Sequence, residues 1–444
     1  MHMNLSSRLR AREADLGRPV RIGLAGAGQM GIGFVAQVQR IPGMEVAAIA
    51  DVLPGRPQQA FAQAGTNGVV EGDDPDKLAQ AVADGRPVGV TDARLLIDLP
   101  VDVVVDATGV PDVGALLSYA ALTGGKDVAS LNAEADVTIG LLLSRVAHAS
   151  GQVYALCKGD EPVEVKELFD YVTDIGFEVV CAGKGKNNPL RPHDTPDSVA
   201  DEAKAKHMNP KMLASFVDGS KAMIEMAALA NAADLGVSKR GMSGYKTTVP
   251  ELHNVFTPSA DGGILDRSGV VDFATGPVAP GVFVVARSDD HTVVEEMDYL
   301  GMGAGPYFSF YRPYHLASIE APLSIPAAVL DGMSDIHPRA WRAEVAAGTK
   351  RPLKAGEAID GIGGECVYGM IDSAETAREE RLVPLGLLAG ARLARDVDVD
   401  HILTYDDVEL DTSTTIYQLR ALQDQLLATE PAGAVGPIPG IPKA

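Results

Sequence analysis

The chain is short of several things, and each shortage narrows what it is. It has 3 cysteines in 444 residues, Cys157, Cys181 and Cys366, without metal spacing or an even count to pair. That pattern fits free thiols in a reducing compartment and excludes a disulfide scaffold. It has 1 tryptophan and only 5% aromatic residues. No uninterrupted apolar run approaches the ~20 residues that cross a bilayer. The first 19 residues are charged and lack a signal-peptide core, so a cytoplasmic location is expected. Positive charge is scarce too. Lys plus Arg total 38 against 60 Asp plus Glu, a formal net charge of −22. A field of that sign repels nucleic acid and anionic membrane, so neither is an expected partner. No Walker loop, Ser-His-Asp arrangement or zinc spacing occurs.

What is present is globular: 46% hydrophobic and 22% charged residues, in a length that implies more than one domain. The fold class expected is α/β, with an N-terminal Rossmann domain over 1–152, an α+β catalytic domain over 153–344 and a small β-rich C-terminal domain over 345–444. Residues 20–25 form an apolar run fit for a buried parallel strand. Helical spacing follows over 30–41, and a second strand over 46–50 ends at Asp51. Further strands are expected over 101–105 and 127–131, with a helix over 113–123 between them. Beyond residue 152, strands are expected over 153–157, 178–182 and 282–286. A long helix is expected over 210–235, after a polar loop over 183–208. The segment after 345 alternates short strands and turns, and the tail 431–444, rich in Pro and Gly, is expected to be mobile.

The clearest motif is Gly26-Ala27-Gly28-Gln29-Met30-Gly31. It lies between a strand and a helix, and an acidic residue closes the next strand. Gly26 allows the tight turn, Gly28 lets backbone N–H groups reach a pyrophosphate, and Gly31 lets helix and strand close up. The pyrophosphate then meets a helix N-terminus. Asp51 at the second strand's end suits the ribose hydroxyls of NAD, and Arg56 nearby offsets its repulsion of a 2′-phosphate. On chemistry alone the carboxylate leans toward NAD. Ala107, Thr108 and Gly109 follow a later strand, Asn132 and Glu134 the next. All five face the same expected crevice.

Polar residues in the second segment are the candidates for chemistry. Lys184, Lys186, Asn187 and Asn188 follow a strand, and are either an anion-binding and carbonyl-polarising group or a solvated basic turn. Asp218, Lys221 and Glu225 lie on the expected long helix. Lys221 and Glu225 share a face at i,i+4, as proton-handling groups or as an ordinary ion pair. Arg312 and His315 are candidates to contact an anionic substrate; a surface arginine and a packed histidine are the alternatives. Gly159-Asp160-Glu161-Pro162, just past a strand, reads as a substrate-domain turn, a metal position or a surface acidic pair, the last being favoured.

On these residues, positions 20–235 resemble the homoserine-dehydrogenase-like oxidoreductases. Lys354-Ala355-Gly356-Glu357 and the run from Pro384 to Ala391 resemble the SAF-type domain that follows them in one subgroup. In length and order the chain is most similar to the 1-deoxy-D-xylulose 5-phosphate reductoisomerase-like proteins. That resemblance implies NADP, with NAD possible, and a divalent cation, Mg²⁺ or Mn²⁺. It also implies a small phosphorylated sugar substrate and a homo-oligomer. The implied reaction is NADPH-dependent conversion of 1-deoxy-D-xylulose 5-phosphate to 2-C-methyl-D-erythritol 4-phosphate, in isoprenoid precursor synthesis. The chain departs from the family patterns in three places. Asn132-Ala133-Glu134 stands where homoserine dehydrogenases have Asn-Lys. Asp218 and Lys221 are closer together than that family's Asp and Lys, and the reductoisomerases' Asp-Ser-Glu metal motif is missing, so the metal ligands stay unassigned. The alternatives are a dehydrogenase of a polar hydroxy or sugar acid, and a cofactor-binding regulatory protein.

Overall fold

The computed structural model describes residues 4–334 and 336–428; the expected mobile tail over 431–444 lies outside them. The chain divides into two compact units. Unit 1 comprises 1–160, 316–337 and 419–444, and unit 2 comprises 161–315 and 338–418. Residues 345–418 share a unit with the middle of the chain, and two later segments return to the first unit.

Unit 1 is built on a seven-stranded sheet. Its strands are β1 (Val20–Ala25), β2 (Met44–Ala50), β3 (Val70–Glu71), β4 (Val88–Val90), β5 (Val103–Asp106), β6 (Asp127–Ser130) and β7 (Tyr154–Leu156). The order is β3-β4-β2-β1-β5-β6-β7, and every pairing is parallel. A parallel sheet is covered on both faces, which is why β1 and β5, apart from Arg21 and the terminal Asp106, read as apolar runs and are buried throughout. Ile22, Leu24, Val103, Val105, Phe34 and Phe61 form its core. The order reverses between β1 and β5, so their C-terminal ends open the crevice where doubly wound sheets take ligands. Helix α1 (Gln29–Val38) starts at the end of β1, and α2 (Ala133–Ser150) at the end of the neighbouring β6. Strands β3 and β4 escape the sequence pattern because they are two and three residues long, too short to show a period.

Unit 2 holds a six-stranded mixed sheet of β8 (Glu178–Gly185), β9 (Gly236–Val237), β10 (Tyr245–Lys246), β11 (Val270–Thr275), β12 (Val282–Arg287) and β13 (Tyr307–Arg312). The order is β10-β11-β8-β12-β13, with β9 also on β11, so β8 is central. Helices α3 (Glu161–Asp174) and α4 (Ser220–Ala233) belong to the same unit. The single long helix expected over 210–235 is two helices. Pro210–Val217 ends at Asp218, and Gly219, at φ +95°, turns the chain before α4 begins. A left-handed residue cannot continue an α-helix. Farther on, β14 (Ala343–Thr349) and β15 (Val367–Ser373) pair antiparallel, and Arg392–Leu393 pairs with Val408–Glu409.

Three clasps fix α4 to this later segment. Asn231 Oδ1 accepts the N–H groups of Arg342 and Ala343. Ser220 Oγ accepts the Gly369 N–H at 2.7 Å. Asp218 pairs with Lys350 at 2.9 Å, both side chains almost fully buried, and Lys350 also donates to the carbonyls of Asp194 and Gly364. Asp218 Oδ1 accepts the Ser220 N–H as well.

Unit 1 contains a second buried carboxyl with a measurable consequence. Asp136, on α2, accepts the Tyr154 hydroxyl at 3.0 Å through one oxygen, and its other oxygen has no hydrogen-bond partner. Burial pushes its pKa up to about 7. The folded state therefore holds this proton more tightly than the unfolded chain, and the associated stability is lost as pH rises from about 4 through 7. Asp136→Asn is expected to remove that loss: its melting temperature relative to the parent should rise between pH 5 and pH 8. A constant difference across that range would contradict the assignment.

Candidate functional site

In unit 1 the glycine loop has the shape a pyrophosphate needs. Gly26 is at φ +95°, and a Cβ there would stand 2.6 Å from the Ala107 carbonyl oxygen. A Cβ on Gly31 would stand 2.0 Å from the Gly26 carbonyl oxygen, so α1 meets β1 closely only because position 31 is glycine. Gly28 differs. It caps α1 in extended conformation, and a Cβ there would meet nothing within 4 Å. That open space at a helix N-terminus is where backbone N–H groups receive phosphate. Gln29 and Met30 begin the helix.

Asp51 is differently employed from the sequence reading. Its two oxygens accept the backbone N–H groups of Ala27 and Leu53, each at 2.9 Å, so the carboxylate clasps the loop itself. Arg56 Nη1 lies 3.8 Å from it and is half exposed. Asp106 organises the next turn by accepting Thr108 N–H and Oγ1 and the Asn132 amide. Asn132 is fully buried, donates also to the Val110 carbonyl and caps α2. It shapes the crevice from behind. Gly109 turns the loop at φ +63°, and Glu134 sits buried in the first turn of α2.

In unit 2 the centre is Lys184. Strand β8 places it in register with Phe273 of β11 and Val282 of β12. The flanking glycines let the neighbours close in. A Cβ at Gly183 would lie 2.0 Å from the Asp272 carbonyl oxygen, and one at Gly185 would lie 2.3 Å from the Ala279 nitrogen. The Lys184 ammonium donates to Glu161, at 2.5 Å, and to Glu225. The same Glu161 oxygen lies 3.3 Å from His315 Nε2. All three members of the Lys184 triad are buried.

The electrostatics follow from that burial. Burial alone would lower the Lys184 pKa, but the Glu161 and Glu225 charges override it, and the lysine is held above its ordinary value. Burial pushes Glu161 up, and the opposing Lys184 and His315 charges hold it well below the usual carboxylate range. Lys184 is a fixed cation at any working pH. Lys186, two residues on, is the opposite case. It donates to the carbonyls of Asn188 and Phe216, at 2.8 and 2.7 Å. Burial, and then the like charge of Lys184, lower its pKa to about 8. A lysine lowered in this way is a candidate general acid or base.

Of the expected residues, Lys184, Glu225 and His315 come together, with Lys186 beside them. Arg312 pairs with Glu164 and stacks on Tyr314, so it reaches α3 one turn beyond Glu161. Asn187 is exposed, and Asn188 accepts Lys206 through its side-chain oxygen. Lys221 is half buried one turn before Glu225 on α4. Asp218 is committed to Lys350, as described above. Glu161, for which the sequence favours a surface acid over a substrate turn or metal position, is buried at the start of α3, and its carboxylate lies with those of Asp160 and Glu225 in a group able to hold a metal ion. Its signal was the proline after it, since Glu-Pro following a strand opens a helix.

Residues 159–321 match the family model described as oxidoreductase DRL, catalytic domain. The match begins just before Glu161 and includes Lys184, Glu225 and His315. No curated protein matches the chain. Among solved structures, a probable dehydrogenase from Thermotoga maritima is 16% identical, with a TM-score of 0.34 over 60% of this chain and 72% of that one. A 3-ketoreductase variant from Actinomadura kijaniata, in complex with TDP-benzene and NADP, is 15% identical, with a TM-score of 0.36 over 70% and 90%. The 1-deoxy-D-xylulose 5-phosphate reductoisomerase of Zymomonas mobilis, in complex with NADPH, is 18% identical, with a TM-score of 0.32 over 47% and 56%. Residues 159–321 are thus similar to an oxidoreductase catalytic domain, and unit 1 carries a glycine loop of the dinucleotide-binding kind. Among the described residues no helix is long and apolar enough to cross a membrane.

The loop geometry separates two glycine substitutions. Gly28→Val is expected to keep the parent's melting temperature and lose dinucleotide binding, because its side chain fills the phosphate space. Gly31→Ala is expected to lower the melting temperature, because a backbone oxygen occupies its space. Thermal melts with NADP⁺ titrations on both variants check this; equal thermal effects would contradict it. For the triad, Lys184→Met leaves two buried carboxylates facing each other and is expected to cost about 3–5 kcal/mol in a denaturant titration.

Proposed function

We propose that the chain reduces or oxidises a small, oxygen-rich substrate, a polar hydroxy acid or sugar derivative, with unit 1 holding the dinucleotide and unit 2 the substrate. The observation that carries this is the pairing of a fixed cation with a titrating lysine on one strand end. Lys184, locked by Glu161 and Glu225, supplies constant positive potential. Lys186 supplies or removes the proton of the oxygen that changes between carbonyl and alcohol. The nicotinamide, when bound, supplies the hydride. Arg312 and His315 approach α3 from β13 and the turn after it, and would face the anionic part of the substrate.

The cofactor proposed is NADP(H). Asp51 spends its oxygens on the loop, which leaves Arg56 as the charged group nearest the ribose position, and an arginine there accommodates the 2′-phosphate. Arg56→Ala is expected to raise the Kd for NADP⁺ at least tenfold and leave that for NAD⁺ within twofold. Equal changes for both would contradict the assignment.

A second reading is the reductoisomerase of 1-deoxy-D-xylulose 5-phosphate, supported by the resemblance in length and segment order and by the oxygen ligands in the triad. Glu161 and Glu225 are the hard donors that Mg²⁺ or Mn²⁺ prefers, and both are engaged by Lys184, so a cation would compete with that ammonium. The resemblance also carries homo-oligomerisation and a SAF-type C-terminal segment into this proposal. Product analysis separates the readings. NADPH oxidation with a panel of keto acids, sugar acids and deoxyxylulose phosphate, with and without Mg²⁺, is expected to give turnover that Lys186→Gln lowers at least a hundredfold. A retained carbon skeleton supports the dehydrogenase and a rearranged one the reductoisomerase. No turnover with any member would sink both in favour of a cofactor-binding regulator.

A further inference from the structure

Unit 2 carries a second polar recess whose lining shares no residue with the Lys184 triad. Its volume is about 660 Å³, within the range of small-molecule sites. One wall is the turn after β9, with Lys239 and Arg240, together with Arg267. The other is the end of β15 and the short helix after it, with Asp372, Glu375 and Glu380.

The charges in this recess are unequally spent. Arg240 donates to Asp372 at 2.5 Å and to Glu380 at 2.6 Å, which accounts for two of the three carboxylates. Asp372 is buried, so this pair forms a fixed floor. Arg267 is held differently. Its Nη2 donates to the Val237 carbonyl at 3.0 Å, and a Cβ on Gly236 would come within 2.9 Å of that same nitrogen. The guanidinium therefore lies across β9 in a place that only a glycine leaves open. Neither Arg267 nor Lys239 has an ion pair among the described residues. Two cations thus face the single remaining carboxylate, Glu375, in a chain of net charge −22. A preset guanidinium with spare N–H groups beside a lysine is the arrangement that recognises carboxylate or phosphate.

We propose that this recess binds a small organic anion carrying a carboxylate or a phosphate, held in a forked contact by Arg267 and neutralised by Lys239. A ligand there touches β9 on one side and the end of β15 on the other. It would brace the strand pair to which α4 is clasped, and so act on the helix that carries Glu225. The site is regulatory in kind, separate from the substrate position.

The test uses the full chain without dinucleotide, titrated calorimetrically with inorganic phosphate and, separately, with succinate. Saturable one-site binding of at least one is expected, and the stronger of the two identifies the anion type. Lys239→Glu changes an exposed side chain, so its unliganded melting temperature should match the parent's, whereas Arg267→Glu also loses the bond to the Val237 carbonyl and should melt slightly lower. Each should weaken binding at least tenfold. Lys186→Gln and Gly28→Val should bind as the parent does. The proposal is overturned if neither anion saturates, if Arg267→Glu binds unchanged, or if Lys186→Gln or Gly28→Val removes the binding instead.

Discussion

The burial of one ammonium between two carboxylates constrains unit 2 more than any other interaction. Lys184 cannot be taken out of water alone; the desolvation cost is several kcal/mol before any partner is found. Glu161 and Glu225 meet that cost from two helices, so α3 and α4 must both be in place for β8 to carry a lysine at its end. The glycines on either side of Lys184 belong to the same solution, because they let β11 and the turn before β12 come close enough to exclude water. A strand that reads as apolar until its last residues is thereby converted into a charged platform.

The position of α4 depends in turn on a segment far along the chain. Asp218–Lys350, Ser220–Gly369 and Asn231 at Arg342–Ala343 hold its two ends. This explains why α4 begins with a serine, and is preceded by an aspartate, that do not touch the triad, and why residues 338–418 fold into the same unit as 161–315. The same division of labour recurs in unit 1. Asp51 spends its oxygens on backbone N–H groups, and Asp106 on the Thr108 N–H and hydroxyl and the Asn132 amide, so both shape the loops and leave the phosphate space itself to glycine and to a helix end.

Much of this was legible in the sequence. The Gly26–Gly31 spacing, the apolar strands on either side and the acidic residue closing β2 gave the parallel sheet and its ligand edge, because burial on both faces leaves a continuous apolar run. Lys184, Glu225 and His315 stood out as polar residues beside strands or on an apolar helix. Other features had no local signal. Glu161 looked like surface because its partners are 23 and more residues away. The break at Gly219 was hidden by the apolar run on both sides of it. The task of Asp51 depends on which way its carboxylate turns, and spacing does not encode that. Long-range charge pairing and side-chain direction are properties of the tertiary structure, and the misread residues are those that depend on them.

The central claim is that Lys184 acts through its charge, fixed by two carboxylates. It is tested most directly by neutralising the whole triad in one variant, Lys184→Met with Glu161→Gln and Glu225→Gln, and measuring single-turnover hydride transfer beside a denaturant titration. The account predicts stability close to the parent's, since no buried charge is left unpaired, together with loss of hydride transfer by at least a thousandfold. A stable triple variant that still transfers hydride at the parental rate would contradict it.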